Sequence, residues 1–254
     1  MIRPLILVTN DDGITAPGIR NLVNFMNEIG EVIVVAPNSP QSGKGHAITI
    51  NQTLTFEEIS LDGPQKDYSL SGTPVDCVKF ALDKILTRKP DLVVSGINHG
   101  ANSSINVIYS GTMSAAVEAG VEGLQAIGFS LLDFSWDADF SQAKEYIQSI
   151  VNKILKNPMP KGTVLNVNIP KLKKEEIKGI KVCRQANAKW EENFDERTNP
   201  HGKKYYWLTG YFNNMDDGQD ADETALAEGY ISIVPVKYDL TAHEHLQQLR
   251  EILE

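Results

Sequence analysis

The sequence has little cysteine, no excess of positive charge and no long apolar run, and each absence argues against a class of protein. Its 254 residues include two cysteines, Cys77 and Cys183, whose spacing fits neither a zinc site nor a disulfide framework. We therefore expect two reduced thiols. Lysine and arginine total 24 against 33 aspartates and glutamates, and the formal net charge is -9. Such a balance gives no basic surface for nucleic acid or for an anionic membrane.

No segment reaches the roughly 20 apolar residues that a membrane-spanning helix requires. The N-terminal stretch MIRPLILVTNDD has one basic residue and an apolar run too short for a typical signal peptide. We therefore expect a soluble, cytoplasmic protein. A phosphate-bearing ligand of so acidic a protein would need a local source of positive charge.

Apolar runs alternate with helical patterns over the first 183 residues. Residues 5–9 predict a buried strand, Pro17 opens a stretch of helical spacing that ends at Gly30, and EVIVVAP predicts a second strand. Further strands are predicted at PDLVVSGIN, AIGFSLL and GTVLNVNIP, and further helices at SGTPVDCVKFALDKIL, at GTMSAAVEAG and from Phe140 to Ile154. This alternation indicates a Rossmann-like α/β fold, with a mostly parallel sheet covered by helices on both faces.

Two features mark the limits of these elements. Thr73 is a plausible N-cap, because Pro74 follows at the first helical position and Asp76 completes a capping box. From about residue 184 the sequence becomes polar, aromatic and hairpin-like. We predict a catalytic core over 1–183 and a C-terminal extension over 184–254, with a hairpin and a final short helix near Leu246, Leu249 and Ile252.

Three polar segments follow predicted strands. TNDDG comes after the first strand, APNSPQSGKGHAIT after the second, and INHGANSSINVIYSGT after DLVVSG. Ligands of open parallel sheets bind at the carboxyl ends of the strands. We therefore expect the three segments to meet at one edge of the sheet.

Asp11 and Asp12 end the first apolar run, and Gly13 permits the turn that would let both carboxylates face one ligand. A single aspartate at such a turn is more often a helix cap, and this interpretation stays open. Two close carboxylates, however, repel each other unless a cation lies between them. With Ser42 and Asn98 as neutral oxygen donors from other strand ends, the pair favours a hard divalent cation, Mg²⁺ or Mn²⁺.

Such a cation would also supply the positive charge needed to bind phosphate. Ser110, Gly111 and Thr112 precede a helix of small residues, whose free N–H groups favour an anion. Asn102 could add a side-chain donor. Two other interpretations stay open, in which Ser110 is only an N-cap and Asn102 only a turn residue.

Other phosphate-binding and catalytic patterns are absent. The sequence has no G-x-x-x-x-G-K-[ST] motif and no strand-borne G-x-G-x-x-G, and SGKGH has its glycines at the wrong spacing. Two loop histidines, His46 and His99, have no sequence-adjacent acid to orient them. We interpret them as solvent-facing and leave them out of the catalytic set.

Five motifs together resemble the motif set of the SurE family of stationary-phase survival proteins: TNDDGITAPGI, PNSPQSGKGHAIT, SGTPVDCV, SGINHGAN and YSGTMSAAVEA. The similarity spans essentially the whole chain, through RTNPHGKKYYW, GQDADETALAEGYISIVPV and DLTA. The chain departs from the family pattern in two places. It has Gly218-Gln219-Asp220 where Gly-Thr-Asp is usual, and SIVPV where SITPL is usual.

The resemblance implies a Rossmann-like, metal-dependent phosphatase that acts on nucleoside 5′- and 3′-monophosphates and in some members on short polyphosphate. It also implies that Asp11, Asp12, Ser42 and Asn98 hold one divalent cation per subunit. Homodimers or homotetramers would form by exchange of C-terminal segments.

We therefore predict a 5′-nucleotidase in which water attacks phosphorus directly and Asp11 or Asp12 accepts its proton. Phosphatases that form a phosphoaspartate use Asp-x-Asp, whereas these aspartates are adjacent. Two alternatives remain. A glycosyltransferase-like protein would release a nucleoside diphosphate from a sugar nucleotide, and a non-catalytic nucleotide-binding module would show no turnover.

Overall fold

A computed structural model describes residues 3–135 and 137–254. The strands are β1 (Leu5–Thr9), β2 (Glu31–Pro37), β3 (Phe56–Ile59), β4 (Lys66–Leu70), β5 (Leu92–His99), β6 (Ala126–Leu131), β7 (Thr163–Ile169), β8 (Ile180–Val182), β9 (Ala188–Thr198), β10 (Lys204–Asn214) and β11 (Ile231–Lys237). The α-helices are α1 (Pro17–Asn27), α2 (Pro74–Phe80), α3 (Gly111–Val121), α4 (Lys144–Lys156), α5 (Asp222–Ala227) and α6 (Leu246–Leu253).

Nine strands form one twisted sheet in the order β3-β4-β2-β1-β5-β6-β7-β11-β8. The six strands from β4 to β7 in this order are mutually parallel. β3 runs antiparallel to β4, and β11 runs antiparallel to β7. The predicted α/β class with a mostly parallel sheet is therefore confirmed.

The central strands are apolar throughout because helices cover both faces of the sheet. Successive side chains of a strand point to opposite faces. In β1, Ile6 and Val8 pack into a core shared with α1 and α4, whereas Leu7 packs into a core shared with α2 and α3. All five residues of β1 are buried. Full burial of each such side chain stabilises the fold by roughly 1.5–3 kcal/mol.

The predicted capping box of α2 is present. The Thr73 hydroxyl accepts the backbone N–H of Asp76 at 3.1 Å, and the Asp76 carboxylate accepts the backbone N–H of Thr73 at 2.9 Å. Both N–H groups would otherwise lack partners at the helix end. Cys77, in the same helix, and Cys183 are buried free thiols, as expected.

The C-terminal part of the chain divides between two sheets. β9 and β10 form a separate antiparallel hairpin, which confirms the predicted hairpin. β11, which we expected within the extension, lies in the main sheet between β7 and β8. The division of domains at residue 184 stays a prediction.

Two strands at one side of the sheet, β3 at its edge and β4 next to it, have no counterpart among the predicted strands. Their sequences, FEEI and KDYSL, carry polar and charged residues that an apolar-run pattern does not detect, and in β3 this polarity fits an edge position. The final helix begins at Leu246, as expected, and leaves Leu249 and Ile252 exposed. None of the helices in the described part of the chain combines the length and apolar character needed to cross a bilayer.

Candidate active site

A cavity of about 550 Å³ opens at the carboxyl ends of β1 and β5. Its lining includes the four predicted metal ligands, Asp11, Asp12, Ser42 and Asn98. They come from three separate strand ends, as the parallel topology requires. The structure therefore brings this predicted set together, and the role of its members as ligands stays a prediction.

Asp11 is 3% exposed and is held from two sides. Its Oδ1 accepts the hydroxyl of Thr112 at 2.5 Å, and its backbone carbonyl accepts the N–H of Gln41 at 2.7 Å. Burial raises the pKa of Asp11, while the Thr112 hydroxyl and the backbone N–H groups of Thr112 and Gly111 oppose that rise. The N-terminal end of α3 is therefore directed at this carboxylate.

Asp12 is the less satisfied member of the pair. Burial, followed by the negative charge of Asp11, raises its pKa to about 6, and His99 acts in the opposite direction. Its Oδ2 is buried with no hydrogen-bond partner among the described residues. A buried carboxylate oxygen without a partner is costly for a chain, so this atom is suited to a ligand that the chain does not supply.

Ser42 lies on the loop that follows β2, and contacts on both sides fix the position of this loop. The N–H of Gln41 donates to Asp11, and the N–H of Gly45 donates to the carbonyl of Tyr109 at 3.2 Å. One residue further on, His46 Nε2 lies 2.7 Å from Glu118 Oε2 on α3. Ser42 is therefore brought to the cavity by contacts of its neighbours.

Asn98 lies at the end of β5, beyond a shift in the β5–β6 pairing between Ser95 and Asn98. Such irregularities often redirect a side chain at a sheet edge. Its Nδ2 donates to the carbonyls of His99 and Gly100, at 3.0 and 2.9 Å. Both amide hydrogens are thereby used, and Oδ1 remains as a possible ligand.

These observations fit a hard divalent cation. The donor set comprises two carboxylates, a hydroxyl and an amide oxygen, which are the groups that Mg²⁺ and Mn²⁺ prefer. Within residues 3–135 and 137–254 there is no cluster of three or more His, Cys, Asp or Glu arranged for a metal. A site of this kind would thus rely on neutral oxygens, on water and on substrate.

The four predicted phosphate-binding residues occupy two kinds of position. Asn102 and Ser110 line the cavity, whereas Gly111 and Thr112 contact Asp11 instead. Ser110 caps α3 by accepting the N–H of Met113 at 3.0 Å, and its O–H hydrogen stays free to donate. Asn102 donates one Nδ2 hydrogen to Ser130 at 2.9 Å and keeps a second. The phosphate-binding roles of these residues stay predictions.

Gly111 has a steric reason to be glycine. A Cβ at this position would lie 2.6 Å from the Cβ of Asp11, closer than van der Waals contact permits. The absence of a side chain lets the first turn of α3 approach the strand end. Two of the residues predicted for phosphate, Gly111 and Thr112, therefore help to position Asp11.

A buried polar cluster joins the loop of Asn102 to the base of the hairpin. The hydroxyl of Ser104 makes 2.9 Å contacts with the carbonyls of Ala186 and Ala188, and its N–H donates to Asp222 at 2.8 Å. Asp222 also accepts the N–H of Ala186 at 2.9 Å. The hairpin base and the active-site loop are therefore held as one assembly.

Sequence reasoning missed several residues that line the cavity. They are Phe134, Trp190, Phe212 and Glu223. His99, which we interpreted as solvent-facing, is half-buried and lines the cavity beside Asn98. The others belong to turns, the hairpin and α5, and no local pattern places them beside β1.

The comparisons with known proteins agree with the geometry. The model of the family described as "Survival protein SurE" matches residues 6–192. A protein of Christiangramia forsetii named "5'-nucleotidase SurE" is 68% identical over 249 residues, which is 97% of this chain and 96% of that protein. A protein of Flavobacterium johnsoniae with the same name is 66% identical over 248 residues, 97% of this chain and 96% of that protein.

Among solved structures, the crystal structure of the SurE protein from Aquifex aeolicus matches with a TM-score of 0.86 at 37% identity. The match covers 99% of this chain and 100% of that chain. The whole fold, including the part beyond the family model, is therefore shared with that protein.

Proposed function

This chain belongs to the SurE family, and on that premise we propose that it is a 5′-nucleotidase, releasing phosphate from nucleoside 5′-monophosphates with the help of a divalent cation. Asp11, Asp12, Ser42 and Asn98 would hold the cation, with Mg²⁺ or Mn²⁺ favoured by these oxygen ligands. When bound, the cation offsets the negative charge of phosphate and makes water a stronger acid.

The observation that carries this proposal is the pair of neighbouring aspartates with raised pKa values at the end of β1. No lysine or arginine of the described chain lines the cavity, and the opposing effect of His99 still leaves the pKa of Asp12 raised. In addition, Oδ2 of Asp12 is buried beside the cavity and has no hydrogen-bond partner among the described residues. A cation meets the requirements of both aspartates and supplies the charge that phosphate needs.

The residues of the chain then divide the remaining tasks. Ser110 and Asn102 donate hydrogen bonds to phosphate oxygens from the cavity wall. Thr112 holds the Asp11 carboxylate in one orientation through its 2.5 Å hydrogen bond. We assign the acceptance of the proton from the attacking water to the Asp12 carboxylate, because the Thr112 hydroxyl already engages the carboxylate of Asp11.

The experiment is phosphate release from a panel of nucleoside 5′- and 3′-monophosphates, with Mg²⁺, with Mn²⁺ and with excess chelator. We expect turnover that chelator abolishes and that either added cation restores. A sugar nucleotide in the same panel tests the glycosyltransferase-like alternative, which predicts nucleoside diphosphate instead of phosphate. Turnover that withstands chelator would contradict the role of the cation.

Self-association through the C-terminal extension is a second part of the proposal. The apolar side of α6 is open, with Leu249 48% and Ile252 66% exposed. Exposed apolar helix faces of this kind commonly mark contacts between proteins. We expect the mass of a dimer or tetramer in light scattering and a smaller mass for Leu249→Glu with Ile252→Glu. An unchanged mass in that variant would exclude α6 from the interface.

A further inference from the structure

One wall of the cavity carries aromatic rings, which the hydrolysis of a phosphate ester does not require. Phe134 and Trp190 both line the cavity, yet 78% and 45% of their surfaces are exposed. Burial of an aromatic ring makes one of the largest hydrophobic contributions to the stability of a folded protein. Two rings left open beside an active site are therefore candidates for contact with a ligand.

Contacts with the Gly100 backbone and with its own turn hold Phe134 in place. A Cβ on Gly100 would lie 2.1 Å from Cε1 of Phe134, so the ring lies directly against the Gly100 backbone. Asp133 fixes the turn that carries the ring, because its Oδ1 accepts the N–H of Ser135 at 3.0 Å and Nζ of Lys171 at 2.9 Å. Hydrogen bonds from Ser135, reinforced by Lys171, lower the pKa of Asp133 to about 2. The exposed ring is thus preorganised.

Trp190 lies in β9 of the hairpin, and contacts with Asn106 and Phe212 hold it in place. Its Nε1 donates to Oδ1 of Asn106 at 2.9 Å, so the polar edge of the indole is already satisfied. Phe212, its cross-strand partner, packs edge-on at 5.8 Å between ring centroids and also lines the cavity. What the indole offers to the cavity is therefore apolar ring surface.

We propose that Phe134 and Trp190 form a nucleoside subsite, where the base of the substrate lies against their rings while its phosphate lies near Asp11 and Asp12. This inference rests on the proposed function. A nucleotide joins an anionic group to a flat base, and the cavity joins an oxygen-rich end to an aromatic wall. Its volume of about 550 Å³ falls within the roughly 300–1,000 Å³ of small-molecule sites.

The subsite would recognise the presence of a base. Every base has a π-face, so stacking on an aromatic ring tolerates differences in sequence or identity. A base-free phosphate ester gains nothing from the rings. The rings should therefore separate nucleotides from sugar phosphates.

The test compares adenosine 5′-monophosphate with ribose 5-phosphate in Phe134→Leu and in Trp190→Leu. We expect kcat/KM for the nucleotide to fall on the order of 10-fold in each variant, as loss of a stacking partner predicts. The value for ribose 5-phosphate should change less than about twofold. Phe194→Leu and Trp207→Leu are matched controls, because both residues are exposed on the hairpin that carries Trp190 and neither lines the cavity.

The outcomes separate this inference from the proposed function. Equal losses for both substrates, or no loss, would overturn the subsite while leaving the phosphatase intact. A parent protein inactive on both substrates would contradict the phosphatase. Calorimetric titration with adenosine then still tests the subsite, because the inference requires weaker binding by Phe134→Leu and Trp190→Leu than by the parent and the hairpin controls.

Discussion

The protein treats two sets of buried carboxylates in opposite ways. Asp76 at the start of α2 accepts hydrogen bonds from the chain itself, and Glu118 in α3 is paired with basic side chains of the chain. For Asp76, burial acts to raise the pKa, but hydrogen bonds from Thr49 and Thr73 together outweigh it, and the pKa is lowered. At the end of β1, burial prevails instead, and the pKa values of Asp11 and Asp12 are raised.

Glu118 is paired with basic side chains of the chain itself. It is 4% exposed, with His46 Nε2 at 2.7 Å and Lys79 Nζ at 2.5 Å from its carboxylate oxygens. The His46 hydrogen bond, partly opposed by burial and reinforced by Lys79, lowers its pKa. A buried carboxylate that is paired with basic side chains in this way has a structural role. A buried carboxylate that lacks such partners and lies at a cavity is a candidate for binding or catalysis.

Asp12→Asn should produce the largest effect. It keeps the size of the side chain and removes a charge from the proposed cation site, so we expect kcat/KM to fall on the order of 1,000-fold. Phosphate release with saturating Mn²⁺ measures this. A variant as active as the parent would remove the distinction between the two sets of carboxylates.

The pH dependence of stability should follow next in size. The pKa of Asp12 is about 6 in the folded state and 3.8 in the reference state, so the folded protein keeps a proton that the unfolded chain has lost. Without a cation, the free energy of unfolding should therefore decrease by on the order of 3 kcal/mol as pH rises from about 4 to about 6.

Urea unfolding in chelator across this pH range measures the change, and Mn²⁺ at pH 7 should restore stability. Asp12→Asn should reduce the downward trend to the part that Asp11 contributes, whereas Asp76→Ala should keep the full trend. A trend of unchanged size in Asp12→Asn would assign it to groups other than Asp12.

Asp76→Ala should cost stability without affecting catalysis directly. Asp76 accepts the N–H and the hydroxyl of Thr49, at 3.0 and 2.6 Å, as well as the N–H of Thr73. Loss of these bonds and of the helix cap should lower the free energy of unfolding by about 2 kcal/mol. Asp83→Ala, at a carboxylate that is 71% exposed, is the control and should change it by less than about 0.5 kcal/mol. Equal losses in both would contradict the structural role.

Thr112→Val should have the smallest effect of the series, and it acts inside the proposed site. Valine keeps the shape of threonine and removes the hydroxyl that holds Asp11. Loss of a partner that orients a ligand typically weakens metal binding by roughly 10-fold, with little effect on the fold. Thr112→Ser retains the hydroxyl and should bind Mn²⁺ like the parent in calorimetry. Equal affinities in both variants would exclude the orienting role.

Local signals in the sequence account for the parts of the fold that were predicted. The capping box at Thr73 and the apolar run of β1 are readable because their causes lie within a few residues. The position of β11 could not be read in the same way. Its sequence suits a core strand, but its partner β7 lies more than 60 residues earlier and its other partner, β8, is three residues long.

The residues of the site likewise divide into those that local sequence signals reveal and those that only long-range contacts reveal. Asp11, Asp12 and Asn98 are recognisable because polar residues directly follow apolar strands. The contact between Thr112 and Asp11 spans 101 positions, and it gives Thr112 a part in orienting the aspartate that the helix-start pattern did not suggest. Phe134 and Trp190 lacked any signal, because exposed aromatics acquire meaning only when a cavity is seen beside them.

The hairpin has one firmly attached end and one distant end. Ser104 and Asp222 attach its base to the loop of Asn102. Its eleven-residue strands place the tip, residues 199–203, roughly 33 Å from the base, at about 3.3 Å per residue. A fluorophore or an affinity tag inserted at the tip would lie far from the hairpin base, whereas a change at the base would disturb the loop of Asn102. The hairpin thus offers a handle for immobilising the protein or for recording its movement at a surface.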